Sequence, residues 1–258
     1  MSFEKQIQIL AKAEKDRKPV KPISDSVSGE LSLNDAQEIC AGNIQMRLDA
    51  GEKLVGYKIG FCNIPVREKM GWPDSMYGCI LDSMVIKADA TVPMSELIEP
   101  KIECEICFKL SRDLSGQNIS FEDVLAATEG VSASFEICDS RICDWQCPFP
   151  DILADNGFAG RVVLPHVWQP VSGLDLPGET VVLWQNGKKI SEGKGEAAMG
   201  HPANSVIWLV NKLAERGKGL KAGQFVMTGT LTPILPIEKG ATYVASFSSL
   251  GEIRVTFL

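Results

Sequence analysis

The stretch Glu99–Leu110, EPKIECEICFKL, constrains this chain most, because it sets carboxylates along what reads as a β-strand. Ile102, Cys104, Ile106 and Phe108 alternate with Glu103, Glu105, Cys107 and Lys109, the period-two pattern of a half-buried strand. Glu103 and Glu105 therefore share a face, roughly 6 to 7 Å apart along it. Ionised acids at that spacing repel unless water or a cation lies between them. On a solvated face the pattern is an ordinary polar stripe. A third acid offers another reading. In SASFEICDSR, Glu136 stands alone among Phe135, Ile137 and Cys138 in a second strand-like run. If the two strands pair, three carboxylates converge into an oxygen-rich site suited to Mg²⁺ or Mn²⁺.

With 258 residues and 45% hydrophobic content, the chain can bury one large core, or a main domain with a smaller helical attachment. A net charge of −7, a pI near 5.0 and the lack of a Lys/Arg cluster argue against a phosphate-binding surface, so nucleic acid is not an expected partner. MSFEKQIQIL carries acids and amides where a signal peptide needs a basic start and an apolar core. No later run approaches the roughly 20 apolar residues of a membrane span. A soluble cytoplasmic protein without membrane contact is the expectation. In that compartment the eight cysteines are expected free, as small packed hydrophobes. Cys104 and Cys107 form a C-x-x-C, yet strand positions three apart point to opposite faces and cannot chelate one zinc.

Residues 3–16 read as an amphipathic helix. A second helix is expected from Ser32, whose hydroxyl can cap the amides near Asp35, with Ala36, Cys40, Ile44 and Leu48 on one side and Gly51 at its end. The expected organisation is a helical segment over 1–53 packed on a main domain over 54–258. Lys58 sits at the centre of a strand-like run over 54–61, either snorkelling to solvent or presenting a cation at a pocket rim. YGCILDSM reads as a turn into the next strand, ending in Asp82, a turn residue or a pocket acid. Ser120 can cap a helix leading to the Glu136 strand.

The weakly periodic segment from Asp139 onward holds Arg141, Asp144, Asp155 and Asn156. It is either a substrate-contacting loop or a satisfied local network with Arg141 paired to an aspartate. Asn186-Gly187 marks a tight hairpin. Pro202 suits the first turn of a helix ending at Gly217, and His201 just ahead of it suits capping. Thr228, Thr230 and Thr232 place hydroxyls around Gly229, for a ligand or for a turn. The sum is an α/β mixed, β-rich protein with two leading helices and one long late helix.

Several of these pieces, GYKIGF, YGCILDSM, EPKIECEICFKLSRDL, FEICDSRICDW, ADN, GHPANSVIWLVNKLA, LKAGQFVMTGTLTP and LGEIRVTF, follow one another over nearly the whole chain from about residue 54. Together they resemble the 2-hydroxypenta-2,4-dienoate (2-keto-4-pentenoate) hydratases and 4-oxalocrotonate decarboxylases of the fumarylacetoacetate hydrolase superfamily. DSRICDW and the proline of TGTLTP are more similar to the hydratase version. The resemblance implies a fumarylacetoacetate hydrolase-like β-roll with N-terminal helices, usually oligomeric. It implies Glu103, Glu105 and Glu136 as ligands of Mg²⁺ or Mn²⁺, and Lys58 and Asp82 as catalytic residues. Asp155, Asn156, Phe158 and Thr230 are the expected substrate contacts, Phe158 standing where relatives carry small residues after ADN. The implied activity is hydration of a 2-hydroxy-2,4-dienoate to a 4-hydroxy-2-oxo acid. The alternatives are decarboxylation of a 2-oxo acid, or a non-catalytic partner subunit. The implied partners are a small 2-oxo or 2-hydroxydienoic acid, further copies of the chain, and a related decarboxylase.

Overall fold

A computed structural model describes residues 3–258. The opening helices form where the local signals place them, over Glu4–Asp16 and Leu33–Asp49. The Ser32 hydroxyl accepts from the Asp35 amide at 3.1 Å and the Asp35 carboxylate accepts from the Ser32 amide at 3.3 Å, a reciprocal cap. Each helix buries one stripe. Leu10, Ala36 and Ile39 pack with Ile23, Met76, Phe149, Leu153 and Phe158. The N-terminal helices thus complete a core with the segment that follows the Glu136 strand.

The main sheet runs Met76–Leu81, Leu54–Gly60, Phe225–Thr230, Lys101–Leu110, Thr128–Cys138, Ala159–Leu164, Val85–Lys87, with Leu235–Pro236 paired to the start of Lys101–Leu110. The acidic strand therefore lies at the centre, antiparallel to both neighbours. Its alternation sorts the faces as the pattern requires. Ile102, Cys104, Ile106 and Phe108 enter the large core shared with a second, five-stranded sheet, whereas Cys107 packs on the opposite side with Ile80 and Met227. Cys104 and Cys107 accordingly face apart, and all eight cysteines are free.

In the second sheet, Thr180–Gln185 and Lys188–Lys194 form the hairpin marked by Asn186 (φ 50°) and Gly187 (φ 79°), both left-handed as a primed two-residue turn demands. His201 caps the Pro202–Ala214 helix, its Nδ1 accepting from the Ala203 amide at 3.0 Å. The YGCILDSM reading needs correction. Met76–Leu81 is an edge strand antiparallel to Leu54–Gly60, and only from Asp82 does the chain turn. The strand is fixed from outside its own sequence, since the Asn156 side chain exchanges two hydrogen bonds of 2.8 Å with the Cys79 backbone. No helix among the described residues is long and apolar enough to cross a membrane.

Candidate functional site

Strand pairing brings the acids together. Glu103 stands directly opposite Glu136, while Glu105 lies opposite Ser134 on one side and Thr230 on the other. Glu105 and Glu136 are fully buried and Glu103 partly so. One Glu105 oxygen accepts from the Gly229 amide at 2.8 Å. That amide is available because the Phe225–Thr230 strand slips register between Met227 and Thr230, taking Gly229 out of the ladder. Gly229 has φ +103°, and a Cβ there would stand 2.4 Å from the Cys62 sulfur. Glycine is required on both counts.

Lys58 arrives from the Leu54–Gly60 strand, two strands from Glu103 and Glu105 and three from Glu136, and its Nζ lies 2.8 Å from a Glu136 oxygen. Gly157 and Met76 wall it in. A Cβ on Gly157, itself at φ +62°, would meet the Met76 methyl at 2.0 Å and the Lys58 Cε at 3.1 Å. Lys58 therefore does not snorkel. It is buried, with an apolar side chain beside it and a carboxylate at its tip.

The electrostatics are unbalanced. Burial, then the neighbouring Glu136 charge, raises Glu103 to about 7. The same causes push Glu105 well above the ordinary carboxylate range. Burial alone would lower Lys58, but the Glu136 carboxylate overrides this and holds it above its usual value. One ammonium faces three acids, and one Glu105 oxygen and both Glu136 oxygens lack a hydrogen bond of good geometry. Buried carboxylate oxygens without donors are costly, so the donor set has the character of a site short of positive charge. Hard oxygen ligands of this kind fit a divalent cation. Cys138 adds a sulfur, since one donor atom each from Glu103, Glu136 and Cys138 lie within 4.8 Å of one another.

The other expected residues are engaged within the fold. Asp82 is exposed, its Oδ1 accepting from the Lys53 and Ser83 amides at 3.0 and 3.1 Å. Lys58 pairs with Gly78 while Asp82 pairs with Lys53, which separates the two by about 16 Å along the strands. Asp155 is buried against Arg141, whose backbone amide donates to it at 2.9 Å and whose Nε donates to its other oxygen. Arg141 also donates to the Asp139 and Ala159 carbonyls at 2.8 Å, so this is the local network. The Asn156 amide is engaged with Cys79. The Thr230 hydroxyl donates to the Thr232 carbonyl at 2.7 Å and closes a turn. Phe158 packs in the second core, edge-on to Trp145 at 5.0 Å. Asp155, Asn156 and Thr230 thus hold hydrogen bonds within the fold, and Phe158 is held by packing.

Sequence reasoning missed Met76, whose partners come from three separate segments and leave no local signal. It named Asp139 without a role of its own; the carboxylate accepts from the Ile98 and Glu99 amides at 2.9–3.0 Å and fixes the entry to the acidic strand.

Fold and site together define a β-rich α/β protein built around a buried cluster of carboxylates and a lysine. Residues 62–258 match the family described as Fumarylacetoacetate (FAA) hydrolase C-terminal, and the chain belongs to that family. It is 34% identical over 254 residues to a 2-keto-4-pentenoate hydratase of Paraburkholderia xenovorans (strain LB400), covering 98% of this chain and 94% of the relative. It is 35% identical over 257 residues to a 2-hydroxyhexa-2,4-dienoate hydratase of Comamonas testosteroni, covering 99% and 97%. Among solved structures, 4-oxalocrotonate decarboxylase from Pseudomonas putida G7, complexed with magnesium and adipate, superposes with a TM-score of 0.92 at 29% identity, over 100% of this chain and 99% of that one.

Proposed function

We propose that this protein is a divalent-metal-dependent hydratase that adds water to a 2-hydroxy-2,4-dienoate, as in meta-cleavage aromatic catabolism. The observation that carries the reading is the meeting of Glu103, Glu105, Glu136 and Lys58 on one sheet face, with buried carboxylate oxygens left without donors. Similarity to named hydratases over almost the full chain supports it. In the net reaction the enol proton is exchanged for one on C5, and water then adds hydroxyl to C4 and hydrogen to C3.

Glu103, Glu105 and Glu136 would hold the cation, which when bound supplies Lewis-acid polarisation of a 2-oxo or 2-enol acid. Lys58, kept as an ammonium by Glu136, points its charge at the position where the C2 oxygen becomes negative. Met76 offers an apolar wall for the hydrocarbon tail and keeps water from that flank of Lys58. Asp82 has no part in this scheme. Mg²⁺ as the native ion, a cytoplasmic location, assembly into homo-oligomers and association with a related decarboxylase belong to the same reading.

The structural likeness to the decarboxylase favours a second reading, loss of carbon dioxide from a 2-oxo dicarboxylate at the same site. Incubating the protein and Mg²⁺ separately with 2-hydroxypenta-2,4-dienoate and 2-oxohex-3-enedioate distinguishes them. Hydration bleaches the dienoate absorbance and adds the mass of water without releasing gas. Carbon dioxide from the dicarboxylate establishes the alternative, and no turnover of either compound removes both.

A further inference from the structure

The Thr128–Cys138 strand presents two donors of opposite chemical character on one face. Glu136 and Cys138 are two residues apart and so point the same way, and Glu103 reaches both from the neighbouring strand. The Cys138 thiol is buried and donates to Glu103 Oε2 at 3.7 Å. Glu136, fully buried, has one oxygen 2.8 Å from the Lys58 ammonium and the other without a hydrogen bond, and one of its oxygens lies within 4.8 Å of the Glu103 and Cys138 donor atoms. A tetrahedral site with metal–oxygen bonds of about 2.0 Å and a metal–sulfur bond of about 2.3 Å separates its oxygen and sulfur ligands by roughly 3.5 Å. The thiol and the Glu103 oxygen already stand close to that spacing.

We propose that Glu103, Glu136 and Cys138 form a second, thiolate-containing site for thiophilic divalent metals such as Cd²⁺, Zn²⁺ or Co²⁺. It overlaps the all-carboxylate set of the function proposed above and rests on that reading. Soft thiolate ligands select such ions, while Mg²⁺ and Mn²⁺ prefer the oxygens. The Cys138 S–H proton passes to solvent as the sulfur–metal bond forms. Glu103 and Glu136 are common to both sets, so the two classes of ion exclude each other. A thiophilic ion is thereby an inhibitor competing with the activating one.

The test is titration of metal-free protein with Cd²⁺, following the near-ultraviolet thiolate-to-metal charge-transfer band, alongside Mn²⁺ binding by calorimetry. The expected result is a band saturating at one ion per chain in the wild type, displaced by excess Mn²⁺. In Cys138→Ser the band is lost and Cd²⁺ binds on the order of tenfold or more weakly. A band that persists in the variant, or wild-type protein that binds Mn²⁺ without any band, overturns the proposal and leaves the hydratase reading standing. Failure to bind Mn²⁺ at all removes the hydratase reading instead. Should the variant not fold, the wild type decides alone, because a band that Mn²⁺ cannot displace places the cadmium on other cysteines and refutes the shared site.

Discussion

Glu103 and Glu136 face each other in direct register across the two central strands, and the cation seated against the pair is Lys58, 2.8 Å from Glu136. Like charges opposite one another destabilise a sheet. Their retention in the core depends on what neutralises them.

Lys58→Met removes the buried cation and leaves the three acids without a counter-charge. Breaking one partner from a buried ion pair costs roughly 3–5 kcal/mol. The variant is expected to unfold at lower urea and to lose turnover, measured by denaturation and by loss of dienoate absorbance in the same preparation. Wild-type stability would show that the acids are already protonated.

The metal-free protein should lose stability as pH rises. Glu103 and Glu105 have folded pKa values above the ordinary glutamate value, so the folded state binds more protons than the unfolded chain above about pH 4.5. Their contribution is full below that pH and is lost as pH rises through Glu103's value near 7, at about 1.4 kcal/mol per pH unit for each group. Thermal unfolding from pH 5 to 8 checks this, with and without Mg²⁺. The stabilisation by Mg²⁺ should grow with pH, and a flat difference would count against these acids as the ligands.

Gly229→Ala strains a backbone at φ +103° and drives a methyl into the Cys62 sulfur. The expected cost is about 1–3 kcal/mol, with weaker metal binding because the amide that orients Glu105 moves. Calorimetric Mn²⁺ titration beside thermal unfolding separates the two effects. Unchanged affinity in a destabilised variant would show that Glu105 needs no such orientation.

Two contrasting aspartates test the corrections. Asp82→Ala is expected to cost about 1 kcal/mol from lost turn hydrogen bonds and to change kcat by less than about twofold. Asp155→Ala leaves Arg141 buried without its partner and is expected to cost roughly 3–5 kcal/mol. A large kcat effect in Asp82→Ala, at preserved stability, would return that residue to the mechanism.

Caps, turns and strand faces were legible because they depend on near neighbours. Ser32 reaches Asp35 three residues on, Asn186-Gly187 closes its own hairpin, and Glu103 and Glu105 share a face whatever the strand pairs with. The acid trio was half legible. Alternation assigned the face, and the pairing that sets Glu136 opposite Glu103 rested on an assumption that two strands meet.

The sequence was least informative where a polar side chain had several possible partners. For Asp155 and Thr230 the sequence left a ligand contact and a local partner both open, and the structure supplies the local partners Arg141 and Thr232, whereas Asn156 finds Cys79 from a distant strand. Asp82 looked like a pocket acid because sequence distance from Lys58 carries no information on which end of an antiparallel strand it occupies. The amino-acid order by itself determined which residues could be helix caps, turns and strand faces, since those choices are settled within a few bonds by backbone geometry and side-chain period. Only the tertiary structure decided that a lysine from two strands away, a bulged glycine and an edge-strand methionine would enclose acids from the sheet's centre, because long-range packing and the satisfaction of buried polar groups are properties of the whole fold.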